Sequence, residues 1–261
     1  MTFETVLYEV REGIAHVRLN RPGRLNAMVP RLMLDLHEAL RAAVDDAAVR
    51  VVILSGAGRA FCAGDDLKDS AETSMDAGQV HAFVNAIQQV TVDIKAMSKP
   101  VIGAIHGYAV GGGCELALSC DLVVAAEDAK FGFPETGVGL FVGGGVTYAL
   151  PRAIGLPRAK ELVLTGEFFD GRTAERLGLV NRAVPADQVL AVAETLARTI
   201  MAKAPIPVAL TKVALEAGAQ SDLATALALE TASIVNCFLT EDAREGARAF
   251  VEKRPPRYRG R

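Results

Sequence analysis

Gly111-Gly112-Gly113-Cys114-Glu115-Leu116-Ala117-Leu118 lies between two short apolar runs, Val101 to Ile105 and Leu122 to Ala125, and these residues decide the fold. Both runs have the length and composition of strands buried on both faces. The segment between them has room only for a small helix after its glycines. Strand, helix and strand in succession imply parallel pairing and an α/β class. Upstream, Val49 to Leu54 is a third such run, bounded by Ser55-Gly56-Ala57-Gly58. Val6 to Val10 and Ile14 to Leu19, separated by Glu12-Gly13, predict a hairpin. From Pro30 the apolar residues Leu32, Met33, Leu36, Leu40, Ala43 and Val44 have helical spacing. A polar loop to about Lys68 precedes a helical stretch to roughly Met97. Beyond Gly143 the chain reads as mostly helical, with one short strand expected near Leu179 to Asn181. No internal repeat of fixed period stands out. The expected division is an α/β core over residues 1–184 and a helical region over 185–261. The second region, rich in Ala and Leu, should pack on the core, on a neighbouring subunit, or on both.

The chain has 261 residues, 51% hydrophobic and 23% charged, which is enough for a substantial core. Lys and Arg number 28 against 31 Asp and Glu, a net charge of −3 with the signs interspersed. The basic footprint of a nucleic-acid-binding domain is missing, and only Lys253 to Arg261 is locally basic. No apolar stretch reaches the roughly 18 residues of a membrane span, and Met1 to Thr5 reads as lacking a secretory signal. Cys62, Cys114, Cys120 and Cys237 form no CxxC pair and no metal-like spacing with His16, His37, His81 and His106. Reduced thiols, a cytoplasmic setting and no metal are the expectation.

Several stretches carry candidate chemistry. Glycines ahead of a helix leave N–H groups uncovered where the helix dipole is positive, which suits a developing oxyanion or, equally, close backbone packing. Glu115 follows among apolar neighbours, where a carboxylate is expensive to bury unless it is paired or protonated. It could also simply serve the helix dipole. Phe131-Gly132-Phe133-Pro134-Glu135-Thr136-Gly137 reads as a helix opening with Pro at its first position. Gly143-Gly144-Gly145 is either a turn or a place where a substrate approaches backbone. Ser55 to Phe61 begins like a dinucleotide fingerprint, but Phe61 holds the place of the third glycine. Phe61-Cys62-Ala63-Gly64-Asp65-Asp66-Leu67-Lys68 reads as a loop entering a helix. The scattered histidines offer no Ser/His/Asp order.

Together these pieces resemble the crotonase, or enoyl-CoA hydratase/isomerase, superfamily over almost the whole chain. The carriers are Asn20-Arg21-Pro22 through Leu25-Asn26-Ala27, Phe61 to Lys68, and Lys99-Pro100-Val101-Ile102 through His106-Gly107-Tyr108. Gly111 to Ala117, Phe131 to Glu135, Ala174 to Leu179 with Asn181, and Arg244-Glu245-Gly246 with Phe250 to Arg254 follow in the family's order. The resemblance implies a crotonase-like spiral of repeated ββα units with a helical C-terminal trimerisation region, as a homotrimer or dimer of trimers. It implies an acyl-CoA thioester as substrate, coenzyme A being part of that substrate and no separate cofactor being needed. It places an oxyanion hole on the backbone N–H groups of Asp65 and Gly112, and the catalytic carboxylates on Glu115 and Glu135. Coenzyme A contacts fall around Arg24, Ala63 and Lys68, with Lys253 reaching coenzyme A in an adjacent subunit.

The implied activity is hydration of a 2-enoyl-CoA, with Glu115 as the base orienting water and Glu135 as the proton donor to C2. The alternative within the family is a Δ3-Δ2-enoyl-CoA isomerase that uses Glu135 as its shuttling base, or another crotonase-family acyl-CoA reaction such as decarboxylation or thioester hydrolysis. Outside catalysis, a silent acyl-CoA-binding or scaffold protein would keep the same fold. A nicotinamide oxidoreductase would rest on Gly56 and Gly58 alone. Two positions depart from the hydratase pattern. Asp65 stands where a small residue is usual, so its carboxylate is expected to point away from the thioester or to be neutralised. Phe141-Val142-Gly143-Gly144-Gly145-Val146-Thr147 replaces a Pro-Gly-Ala-Gly-Gly segment, so acyl specificity is expected to differ.

Overall fold

Glu12 and Gly13 both take positive φ and form the two-residue turn between β1 (Val6–Arg11) and β2 (Ile14–Leu19), which pair antiparallel with Arg11 opposite Ile14. A computed structural model describes residues 2–67 and 75–261. Three apolar runs continue the sheet in parallel: β3 (Val51–Gly56), β4 (Val101–Ile105) and β6 (Leu122–Ala126). With β9 (Arg182–Val184) they complete a six-stranded sheet in the order β1-β2-β3-β4-β6-β9. Every residue of β4 is buried, as an apolar run without alternation demands.

A second sheet escaped the sequence. β5 (Tyr108–Val110), β7 (Lys130–Gly132) and β8 (Phe169–Asp170) form a three-stranded layer, and Cys62 adds an isolated bridge to Ala109. Strands of two or three residues are too short to show a period. Two boundaries also moved. Val49 is buried in the turn before β3, its N–H bonded to Asp46 O at 3.0 Å. Leu179 and Val180 are buried ahead of β9, and Asn181 clasps Val123 with both its N–H and its Oδ1. Burial made these residues look like strand.

β4 and β6 each hand over to a strand of the short layer and then to a helix or turn, as ββα units do. β4 and β5 lead into α3 (Gly112–Ser119), while β6 and β7 lead into a 3-10 turn over Glu135–Val138. Before these, α1 (Pro30–Asp45) packs on β1 and β2, and α2 (Ala77–Ala96) on α1. α2 starts from a capping box between Asp76 and Gln79. After the turn come α4 (Val146–Ile154), α5 (Leu156–Thr165) and α6 (Gly171–Arg176). Within 185–261, α7 (Val189–Met201) lies across β3, β4 and β6. α8 (Pro205–Gly218) and α9 (Leu223–Phe238) pack on each other, and α10 (Glu241–Val251) follows. Among the described residues no single helix is long and apolar enough to cross a membrane.

Candidate active site

The first wall is the turn after β2. Asn26, fully buried, accepts from Arg21 N–H at 2.8 Å and donates to the carbonyls of Ala57 and Ala60. Arg21 reaches Ala27 O at 2.5 Å and Asp66 Oδ2 at 3.1 Å. These bonds hold Met28 in a parallel bridge to Asp65, with Met28 N–H on Gly64 O at 2.8 Å and Asp66 N–H on Met28 O at 3.1 Å. A residue bridged in this way is bonded through its two neighbours, so its own N–H faces the opposite side. The Asp65 N–H consequently has no acceptor among the described residues.

The second wall is the start of α3. Gly111, at φ 56°, directs its N–H to Gly132 O and its carbonyl to the N–H groups of Cys114 and Glu115. Gly112 occupies the first helical position, where no intrahelical acceptor exists, so its N–H is also uncommitted among the described residues. The two walls touch: a Cβ on Gly64 would stand 3.4 Å from Gly112 N. A Cβ on Gly111 would stand 2.9 Å from Glu135 Oε1, so that carboxyl reaches the same helix start. Close packing and uncovered N–H groups therefore coexist in this glycine run.

Glu115 and Glu135 are both buried, at 4% and 8% exposure. Gly143 N–H donates to Glu115 Oε1 at 2.5 Å. Burial, and then the negative charge of Glu135 and Asp65, lifts the Glu115 carboxyl to about 7 against the pull of the Gly143 bond. Glu135 is raised too, by burial first and by Asp65 after it, and neither of its oxygens has a hydrogen-bond partner among the described residues. Carboxylates in mutual repulsion titrate together, so near neutral pH the pair shares protons. Cys62 and Cys114 lie alongside, but burial lifts both thiols far above neutral, Cys62 to about 12, so neither is a thiolate nucleophile.

Other expectations met the structure unevenly. Pro134 precedes a 3-10 turn rather than opening an α-helix, and Glu135 is that turn's first residue. The Asp65 carboxyl lies beside Gly112, and burial raises it towards its neutral form. Oδ1 is 3.7 Å from the point where a Cβ on Gly112 would stand, because the bridge to Met28 fixes the backbone that carries it. Gly143-Gly144-Gly145 approaches a protein side chain instead of only forming a turn. A Cβ on Gly144, at φ 53°, would stand 2.6 Å from Glu115 Cβ. The Gly143 donor, the Arg21 brace and Gln88, whose Nε2 is 3.5 Å from the Cβ position of Gly143, were not singled out from sequence. The glycine run and the Asn20-Arg21-Pro22 motif were their only signals. Arg24 is exposed, and Ala63 is half-buried with its N–H on Leu25 O. Lys68 lies outside the described residues. Lys253 is exposed after α10, with no bond among the described residues tying it to the glutamates. No cluster of three or more potential metal ligands occurs among the described residues.

Known proteins resemble this chain in sequence and in fold. The enoyl-CoA hydratase/isomerase family matches residues 9–261. A crotonyl-CoA hydratase of Syntrophomonas wolfei is 38% identical, over 99% of this chain and 99% of its own. A short-chain-enoyl-CoA hydratase of Clostridium acetobutylicum is 37% identical, over 97% of each. The crystal structure of an enoyl-CoA hydratase from Bacillus anthracis superposes with a TM-score of 0.95 at 38% identity, covering 99% of this chain and 100% of that one.

Proposed function

The chain belongs to the enoyl-CoA hydratase/isomerase family, and from that premise we propose that it adds water reversibly across the 2,3 double bond of an enoyl-CoA thioester. One observation carries the reading: two buried glutamates, one bonded to Gly143 N–H and one without a donor, flank the uncommitted N–H groups of Gly112 and Asp65.

The thioester oxygen sits between those two N–H groups. When water adds to C3, electron density moves through C2 onto that oxygen, and each preorganised donor lowers the barrier by about 3–4 kcal/mol. Glu115, whose ionised form Gly143 stabilises, takes the proton from the attacking water. Glu135, whose charged form burial and the neighbouring Asp65 disfavour, delivers its proton to C2. The net change is one water added, and the proton gained by Glu115 replaces the one lost by Glu135 across the pair. Arg24, Ala63 and Lys68 are assigned to coenzyme A, with Lys253 serving the neighbouring subunit. Coenzyme A enters as part of the substrate, and the chemistry needs no further cofactor.

The same reading includes a homotrimer or a dimer of trimers in the cytoplasm. Its support is α9, an apolar helix without a single buried residue, on which Leu223 and Phe238 are 74% and 75% exposed. Light scattering should report a multiple of three chains, and a monomer would overturn this part.

Turnover of a graded enoyl-CoA panel, followed by ultraviolet loss of conjugation and product mass, tests the activity. Products should be heavier by one water. Glu115→Gln and Glu135→Gln should each lower kcat by orders of magnitude while acyl-CoA binding survives. Double-bond migration without added water would indicate the isomerase instead. Full activity in either variant would exclude the two-carboxylate mechanism.

A further inference from the structure

Asp65 brings a third carboxyl to this site, where only its N–H is needed. The side chain is half-buried beside Gly112, and no hydrogen bond or ion pair holds it among the described residues. Charged groups approach it from several elements. From α3 comes Glu115, and from the 3-10 turn comes Glu135; Asp65 acts on both with like charge. From the turn after β2 comes Arg21, already engaged by Asp66 and by the Ala27 carbonyl. The Cys62 thiol is protonated. Lys68, three positions on, lies outside the described residues. Burial raises the Asp65 carboxyl above its ordinary range, with no cation among the described residues pulling it back.

We propose that Asp65 is a positioning residue for this chemistry, on the reading that the site hydrates enoyl thioesters. Its carboxylate, standing beside Gly112 with no cation opposite among the described residues, is a negative charge that keeps a proton on the Glu115–Glu135 pair and disfavours acyl groups carrying their own carboxylate. The first effect follows because a neighbouring anion makes each glutamate harder to ionise. The second follows because an acyl carboxylate would enter a low-dielectric space already holding like charge. The substrate class is therefore an enoyl thioester with an uncharged acyl chain.

The test compares wild type, Asp65→Asn and Asp65→Glu in pH profiles of kcat/KM with crotonyl-CoA, and in the ratio of kcat/KM for crotonyl-CoA to that for glutaconyl-CoA. Removing the charge makes the pair release its proton earlier, so the alkaline limb of Asp65→Asn should move to lower pH by about half a unit or more. Its preference for the uncharged acyl group should shrink about fivefold or more. Asp65→Glu should keep both properties of the wild type. An alkaline limb that does not move, or a preference that does not change, in Asp65→Asn overturns the proposal. If Asp65→Asn does not fold, Asp65→Ser carries the same test. A wild-type protein that turns over no enoyl-CoA sinks the hydratase reading instead. The charge effect is then read by carboxyl 13C NMR titration of labelled glutamates in wild type and variant, where identical titrations overturn the role of Asp65.

Discussion

Gly143 holds Glu115 across 28 positions of sequence through an N–H···Oε1 bond of 2.5 Å. The next residue, Gly144, packs so closely on Glu115 that a methyl group there would stand 2.6 Å from its Cβ, at a φ of 53°. Gly144→Ala should therefore displace either the loop or the glutamate. The expected outcome is a loss of stability of about 1–3 kcal/mol. kcat/KM should fall at least about tenfold, since catalytic groups displaced by an ångström lose that much or more. Denaturant unfolding and steady-state kinetics check the two parts, and acyl-CoA affinity should be retained.

Glu115 also makes stability depend on pH. Its carboxyl ionises near 4.5 when unfolded and at about 7 in the fold. Between those values the folded chain holds the proton that the unfolded chain has lost, so stability falls as pH rises through this window. At 1.36 kcal/mol per unit, the loss from acid to alkaline is about 3 kcal/mol. Glu115→Gln should remove that decline, leaving the variant more stable than wild type at pH 8 although it is inactive. Unfolding measured from pH 4.5 to 8 decides it, and parallel wild-type and variant curves would show that Glu115 is not raised.

The Arg21–Asp66 ion pair, on side chains 20% and 6% exposed, holds the segment whose middle N–H belongs to Asp65. Arg21→Ala should loosen that donor and lower kcat by about 10–100-fold. KM should change less than kcat, because the donor matters most once charge develops on the thioester oxygen. A KM effect with kcat intact would place Arg21 in binding instead.

Lys212 performs a purely structural task, and its variant supplies a contrast. Buried at 8% exposure, it donates to Ile94 O, to Lys99 O and to Asp121 Oδ2, which also accepts from Val101 N–H. Lys212→Met should cost about 3–5 kcal/mol by stranding the Asp121 carboxylate. Protein that still folds should keep its kcat. Chemical denaturation together with turnover separates stability from catalysis.

The sequence determined whatever depends on near neighbours. The hairpin, α1, the buried strands β3, β4 and β6 and the short α3 were all legible, because periodicity and apolar runs act over a few residues. The family's motifs mark Glu115, Glu135, Gly112 and Asp65 in the sequence itself. The three-stranded second layer was not legible, since strands of two or three residues exist only because the long sheet lays them side by side. The placement of the three carboxyls was likewise invisible. Gly143 meets Glu115, Glu135 meets Gly111, and Asp65 stays beside Gly112 through contacts between segments that only the spiral brings together. The charge on a carboxyl is set by what surrounds it, and here those surroundings come from distant parts of the chain.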